Sequence, residues 1–251
     1  MKNQLLIACS LLSLIALSLS SYCLADEQSF TYPTAKDYPT IRREAQHVTD
    51  FVPKGWTILG NASGDLNGDK ISDQALVIRG NIAKFKQKNI GLGTNDYDTN
   101  PRLLLVLLKN SDGAGYRLAD QTKNIVAGAD SPTMDEPFEK IAIKNNVLEI
   151  FVQSFYNAGS WSASSTVYKF RRGNGSFVLI GAEHDEVQRN TGEESNYSYN
   201  FLTGKVRIAR KTIESNLAKR VSWKRIPKRP FRKFSDFAKL YEWEVVPTCY
   251  L

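Results

Sequence analysis

The stretch GDLNGDKISDQALVI, residues 64–78, sets oxygen-bearing side chains at Asp65, Asn67, Asp69 and Asp73 and then passes into an apolar run. The run DQALVIRG, residues 73–80, is rich in Val, Ile and Leu and ends on glycine, which is the composition of a strand. Two readings of the polar half are open. Alternating oxygens can converge on a hard dication such as Ca2+, which takes six to eight oxygen ligands, with Asp65, Asn67 and Asp69 in first, third and fifth place, the carbonyl of Ile71 in seventh and Asp73 in ninth. Alternatively, the same Asp and Asn side chains can accept hydrogen bonds from nearby backbone amides and simply close a turn.

Working outward, strand character recurs in WTIL at 56–59, RLLLVLLK at 102–109 and NNVLEIFVQSFY at 145–156. SSTVYKFRR and SFVLIGAE flank Gly173-Asn174-Gly175, a turn suited to the positive φ angles of a tight hairpin. LLLVLLKN and YRLADQ flank Ser111–Gly115 in the same way. Strand, glycine-bearing turn and strand in succession imply a mainly β fold, an antiparallel β-meander body. A sandwich and a small or incomplete propeller both satisfy that pattern. One N-terminal helix is expected between Thr34 and Phe51, where Ile41, Ala45, Val48 and Phe51 fall on one side. The segment Lys84–Pro101, rich in Gly, Asn and Asp, is expected to be a long flexible excursion.

GDLNGDKISDQALVI resembles the calcium loop and following strand of FG-GAP or VCBS repeats, found in integrin-type β-propellers and in exported bacterial proteins. The resemblance covers about fifteen residues. It implies Ca2+ as cofactor, with Asp65, Asn67, Asp69 and Asp73 as ligands. The chain departs from the family at the sixth place, where Lys70 stands in for the usual glycine.

Residues 1–25 read as a signal peptide: Lys2, an apolar stretch from Leu5 through Leu19, and a small-residue exit at Cys23-Leu24-Ala25. The expected mature chain, 26–251, is a single mainly β domain without a membrane span, exported, with the periplasm as its compartment. Cleavage removes Cys9 and Cys23 and leaves Cys249 alone, so no intrachain disulfide is expected.

The net charge of +7 includes Lys2. Between Lys205 and Lys233 stand twelve Lys or Arg and one acid, Glu214, so the rest of the mature chain is net acidic. Within this basic C-terminal segment, 205–233, the stretch RVSWKRIPKRPFRKF interleaves Trp223 and Phe231 with Lys224, Arg225, Lys228, Arg229, Arg232 and Lys233. Basic and aromatic residues so mixed can hold phosphate or stack bases, but export argues against nucleic acid. It points to an acidic protein surface or an anionic envelope component as partner. The alternative is ordinary packing of the apolar members, with the cations in water. Trp161, at the Ser-rich tip Ser160-Trp161-Ser162, is a binding anchor if exposed and a packing residue if folded back.

Only two histidines occur, His47 and His184, in no zinc spacing, and there is no G-x-S-x-G. The sequence therefore points to an exported non-enzymatic binding protein, in its concrete form an inhibitor or immunity-type factor neutralising a toxin or hydrolase. Competing readings are a hydrolase of envelope polymers or glycans, and an envelope scaffold gripping anionic lipid or polymer.

Overall fold

The computed structural model describes residues 28–211, 219–237 and 242–251. The expected signal peptide, residues 1–25 with Cys9 and Cys23, and part of the basic segment, 212–218, lie outside the described residues. The fold is mainly β and antiparallel throughout. Its strands are β1 (Glu44–Ala45), β2 (Trp56–Gly64), β3 (Asp73–Gly80), β4 (Lys86–Lys88), β5 (Asp96–Asp98), β6 (Arg102–Lys109), β7 (Tyr116–Thr122), β8 (Phe138–Lys144), β9 (Val147–Phe155), β10 (Ser162–Arg172), β11 (Phe177–Gln188), β12 (Glu193–Asn200), β13 (Lys205–Lys211), β14 (Arg220–Arg225), β15 (Glu244–Val246) and β16 (Cys249–Tyr250). A five-stranded sheet has the order β1-β7-β6-β3-β2, and a seven-stranded sheet runs as an unbroken meander from β8 to β14. β4 and β5 pair with each other, as do β15 and β16.

The apolar runs of β3 and β6 are explained by period-two alternation between two dry faces. Ala75, Val77, Leu104, Val106 and Leu108 join one core with Leu148, Ile150, Tyr168 and Phe170 of the seven-stranded sheet. Leu76, Ile78, Leu103, Leu105 and Leu107 face the other way and pack with Ile41 and Phe51. The sheets are therefore layered as a sandwich, and no sheet winds around a channel as propeller blades do. They approach closely where β2 meets β8. A Cβ on Gly64 would lie 2.7 Å from Ile143 Cγ2, and one on Gly60 would lie 3.0 Å from the Phe138 ring.

The expected N-terminal helix is not formed. Ala35–Asp37 and Val48–Phe51 are single 3₁₀ turns, with the short β1 between them on the edge of β7. Pro39 removes a donor from the middle of any helix over this span. Asp37 and Asp50 cap their own turns instead, accepting from Thr34 N at 2.8 Å and His47 N at 3.0 Å. The four apolar residues still pack on the sheet, Ile41 and Phe51 buried, Ala45 and Val48 partly so. They reach it from an irregular cover. Nor is Lys84–Pro101 a bare excursion: it carries β4 and β5, and the buried Asn89 amide donates to Leu92 O at 2.9 Å and Thr94 O at 3.0 Å.

The hairpins follow the turn chemistry. Asn145 and Asn146, both at positive φ, link β8 to β9 in the two-residue geometry that favours Asn. Gly173–Ser176 links β10 to β11. Phe234 and Phe237 pack on Tyr168, Phe170 and Phe177 of β10 and β11, and Trp243 stacks on Phe201 at the end of β12; Val245, Val246, the free thiol of Cys249 and Leu251 are buried in the same core. Among the described residues no helix is long and apolar enough to cross a membrane.

His184 lies on the inner face of β11, buried, with Nδ1 2.8 Å from Thr166 Oγ1. Burial pushes its imidazole below the ordinary 6.5, against the opposing charges of Glu186 and Asp185. The unfolded chain thus takes up the proton first, so this contribution is complete above about pH 6.5 and is lost as pH falls through that value. The melting temperature should be flat from about pH 8 to 7 and fall toward pH 5, with a shallower fall in His184→Gln. An identical pH slope in the variant removes His184 as the cause.

Candidate functional site

The basic segment folds into one wall of a groove. β14 is the last strand of the seven-stranded sheet, and from Ile226 the chain leaves it as an extended arm punctuated by Pro227 and Pro230. The arm returns beside β11, where Leu179 N donates to Arg232 O at 2.8 Å and Lys233 bridges Val178. Between arm and sheet runs a groove of about 690 Å³, contiguous through Thr203, Lys205 and Arg225 with a second hollow of about 620 Å³ beneath Trp223. Lys205, Arg225, Lys228, Arg229 and Arg232 line it, and no carboxylate does. None of these five makes a salt bridge among the described residues.

Strand register concentrates the charge. Lys205 of β13 sits directly opposite Arg225 of β14, and Arg210 opposite Arg220; like charges so placed repel. Arg232 stacks 4.2 Å from the Trp243 ring, and desolvation together with the charge of Arg229 lowers its pKa. Apolar contact surface is supplied by Trp223, Phe231 and Leu202, all exposed. Of the other expected binding residues, Lys233 is exposed at the arm's end. Lys224 differs. It turns inward, its ammonium 2.7 Å from Pro247 O and 3.3 Å from Thr248 Oγ1, so it anchors the C-terminal ribbon.

Trp161 is 65% exposed. Arg189 braces its tip: its backbone N donates to Trp161 O at 2.8 Å, and its guanidinium donates to Tyr156 O at 2.6 Å. The structure does not bring it to the groove: Trp161 precedes β10, whereas the row holding Lys205 and Arg225 crosses β10 at Lys169, about 27 Å along the strand at 3.4 Å per residue.

The acidic loop joins β2 to β3. Asp65 accepts from Asn67 N at 3.0 Å, Gly68 N at 2.6 Å and Lys70 N at 2.9 Å. Desolvation works against its ionised form, but those three amides prevail and hold its carboxyl below the ordinary value. Asn67 Oδ1 accepts from Asp69 N at 3.0 Å, and Asp69 Oδ1 from Ile71 N at 2.7 Å. Gly68 and Lys70 take φ +85° and +66°, so the loop bends at both the fourth and the sixth place. Asp73 is fully buried and accepts from Leu66 N at 2.8 Å and Lys109 N at 2.9 Å, tying the loop to the end of β6. Burial raises its pKa against those two bonds.

Against a Ca2+ ion, the donor types and spacing of this loop fit, and its bend fits. Its carboxylates, however, are turned onto backbone amides, and among the described residues no three His, Cys, Asp or Glu side chains are grouped to hold a metal.

Glu183, His184, Asp185 and Glu186 lie along β11 and alternate between its faces, so His184 shares its face with Glu186 alone, whose carboxylate accepts from Ser162 Oγ and Gln188 Nε2 at 3.0 Å each. Glu183 pairs with Lys169 at 3.0 Å and Asp185 accepts from Asn196 at 2.9 Å on the outer face, while His184 points inward.

Compared with known proteins, the chain matches no family model, no curated protein and no solved structure. Sequence reasoning missed the groove's other contributors, Phe201, Leu202, Lys205 as a site residue, and Trp243. The only signal for them was the bunching of positive charge after residue 205.

Replacing Asp73 by Ala strands two amides, Leu66 N being in the core, at about 1–3 kcal/mol for each buried unsatisfied group. Asp73→Ala should lower unfolding stability by about 3 kcal/mol in calcium-free buffer. A denaturation midpoint within error of the parent's would show that the carboxylate carries no structural load.

Proposed function

We propose that this chain is an exported, non-catalytic binding protein that holds an acidic protein partner in the groove between β13, β14 and the arm 226–233. The supporting observation is the set of five cations lining that groove with no carboxylate among them. In a folded chain such a cluster repels itself, and a partner's carboxylates relieve the repulsion while steering association. The exposed Trp223 and Phe231 supply the apolar contact that charge alone lacks, aromatic residues being the usual anchors of interfaces. The concrete form of the proposal is an inhibitor or immunity-type factor acting in the periplasm.

Arg225→Gln, Lys228→Gln and Arg229→Gln remove three exposed charges without touching the Lys224 anchor. Taken together at roughly 0.5 kcal/mol each, they should weaken capture of the partner about tenfold and flatten its salt dependence. The measurement is stoichiometric pull-down from the native envelope across a salt series. Unchanged recovery by the triple variant contradicts the reading; salt-reversible sedimentation with anionic vesicles, and no protein recovered, would replace it with the scaffold.

The acidic loop supports a second, separate reading, Ca2+ bound by Asp65, Asn67, Asp69, the Ile71 carbonyl and Asp73. The observation favouring it is Lys70 held at positive φ where a calcium loop needs its tight bend. At a calcium concentration about 100 times Kd, binding stabilises by about 2.7 kcal/mol, or roughly 5–10 °C in a chain of this size. Calcium should raise the melting temperature of the parent by that amount and leave Asp69→Ala unmoved. Indifference of the parent to both calcium and chelator discards the ion.

A further inference from the structure

The free edge of β14 carries a second layer of information beyond the charges of the groove. The β13–β14 ladder is antiparallel and without a register shift from Lys205↔Arg225 to Arg210↔Arg220. Ile226 N donates to Gly204 O at 2.9 Å, which makes Gly204 and Ile226 a hydrogen-bonded pair. Such pairs recur at every second residue of an antiparallel ladder. The bonds to β13 are therefore made by Lys224, Ser222 and Arg220. Those of Val221, Trp223 and Arg225 point away from the sheet, and their amides and carbonyls have no partner among the described residues. Val221 and Trp223 are 45% and 63% exposed, and among the described residues none covers that edge.

We propose that β14 accepts an extended acidic peptide segment of the partner as an eighth strand. The inference rests on the reading that the partner is an acidic protein, and it names how that partner is held. Strand addition supplies affinity through main-chain bonds and selectivity through alternate side chains. Here the alternate positions are specific. On the outer face Arg225 and Trp223 flank the new strand, with Lys205 and Arg207 one strand further in. On the inner face stands Arg220 beside Arg210, because Lys224 is committed to the C-terminal ribbon. The incoming segment thus needs carboxylates on both faces, one toward each end, and an apolar side chain against Trp223. A second copy of this chain is a poor occupant, since its own β14 brings arginine against arginine, the arrangement that guards edges from self-association.

The test uses residues 26–251 and four soluble probes, the first three of equal net charge and the fourth the first with Lys in place of Glu. One is a short β-forming peptide of Val and Thr that carries a Glu on each face, one toward each end. The second is the same peptide N-methylated at every other residue along the bonding edge. The third is an unstructured polyglutamate. Binding is followed by calorimetry, and amide exchange is read at Val221, Trp223 and Arg225. The unmodified peptide should bind at least tenfold more tightly than the methylated one and slow exchange at those three amides; a Lys-for-Glu version should not bind. Equal binding by the two Glu peptides without protection overturns strand addition and leaves the charged groove standing. Failure of both peptides and of polyglutamate overturns the groove as well. Equal binding of the Lys version overturns the preference for acid.

Discussion

β3 and β6 have no face that can be left in water. Ten apolar side chains on two neighbouring strands alternate strictly between the faces of one sheet, so each face must be covered by something else. The seven-stranded sheet covers one, and residues 38–52 cover the other. Because the five-stranded sheet is narrower than its partner, the inner face of β12 and β13 would be bare. The residues from Trp243 to Leu251 fill that place, with Trp243 stacked on Phe201 and Tyr199 bonded to Tyr250 O, while Phe234 and Phe237 pack beside them on the rings of Tyr168, Phe170 and Phe177. The groove is a consequence. The chain must leave β14, cross to β11 and dive into the core, and the arm that makes this crossing stands off from the sheet.

Polar chemistry is sorted by the same constraint. Asp73 begins β3 inside the protein, and its two carboxylate oxygens serve as joints between the β2–β3 turn and β6. The charges of the basic segment can be nowhere but outside, on the far edge of the sheet and along the arm. There the cross-strand register sets Lys205 against Arg225 and Arg210 against Arg220. A folding chain gains nothing from those pairs. They leave that edge strongly positive in a chain whose remainder is net acidic.

Much of the fold was legible because strand signals are local. DQALVIRG and RLLLVLLK form β3 and β6 over the expected residues, and Gly173-Asn174-Gly175 makes the turn its dihedral freedom suggests. The misreading at Thr34–Phe51 is also instructive. Ile41, Ala45, Val48 and Phe51 do share one buried side, as read, but a cover lying across a sheet can present residues at those intervals without being helical. Pro39 and the side-chain caps of Asp37 and Asp50 decide against the helix. The candidate site was legible only as composition. Trp223, Arg225, Lys228 and Arg229 were visible as a basic and aromatic run, yet Lys224, in the middle of it, proves to be an anchor for Pro247 and Thr248.

By itself the sequence determined the antiparallel β character, the main turns, the apolar strands and the concentration of positive charge near one end, since each depends on residues within a few places of one another. Tertiary structure alone decided which cations share a groove, which edge is open, where Trp161 stands relative to them and which amides Asp73 satisfies. Those outcomes depend on how segments far apart in the chain stack to keep two apolar strands dry, and no local pattern encodes that stacking.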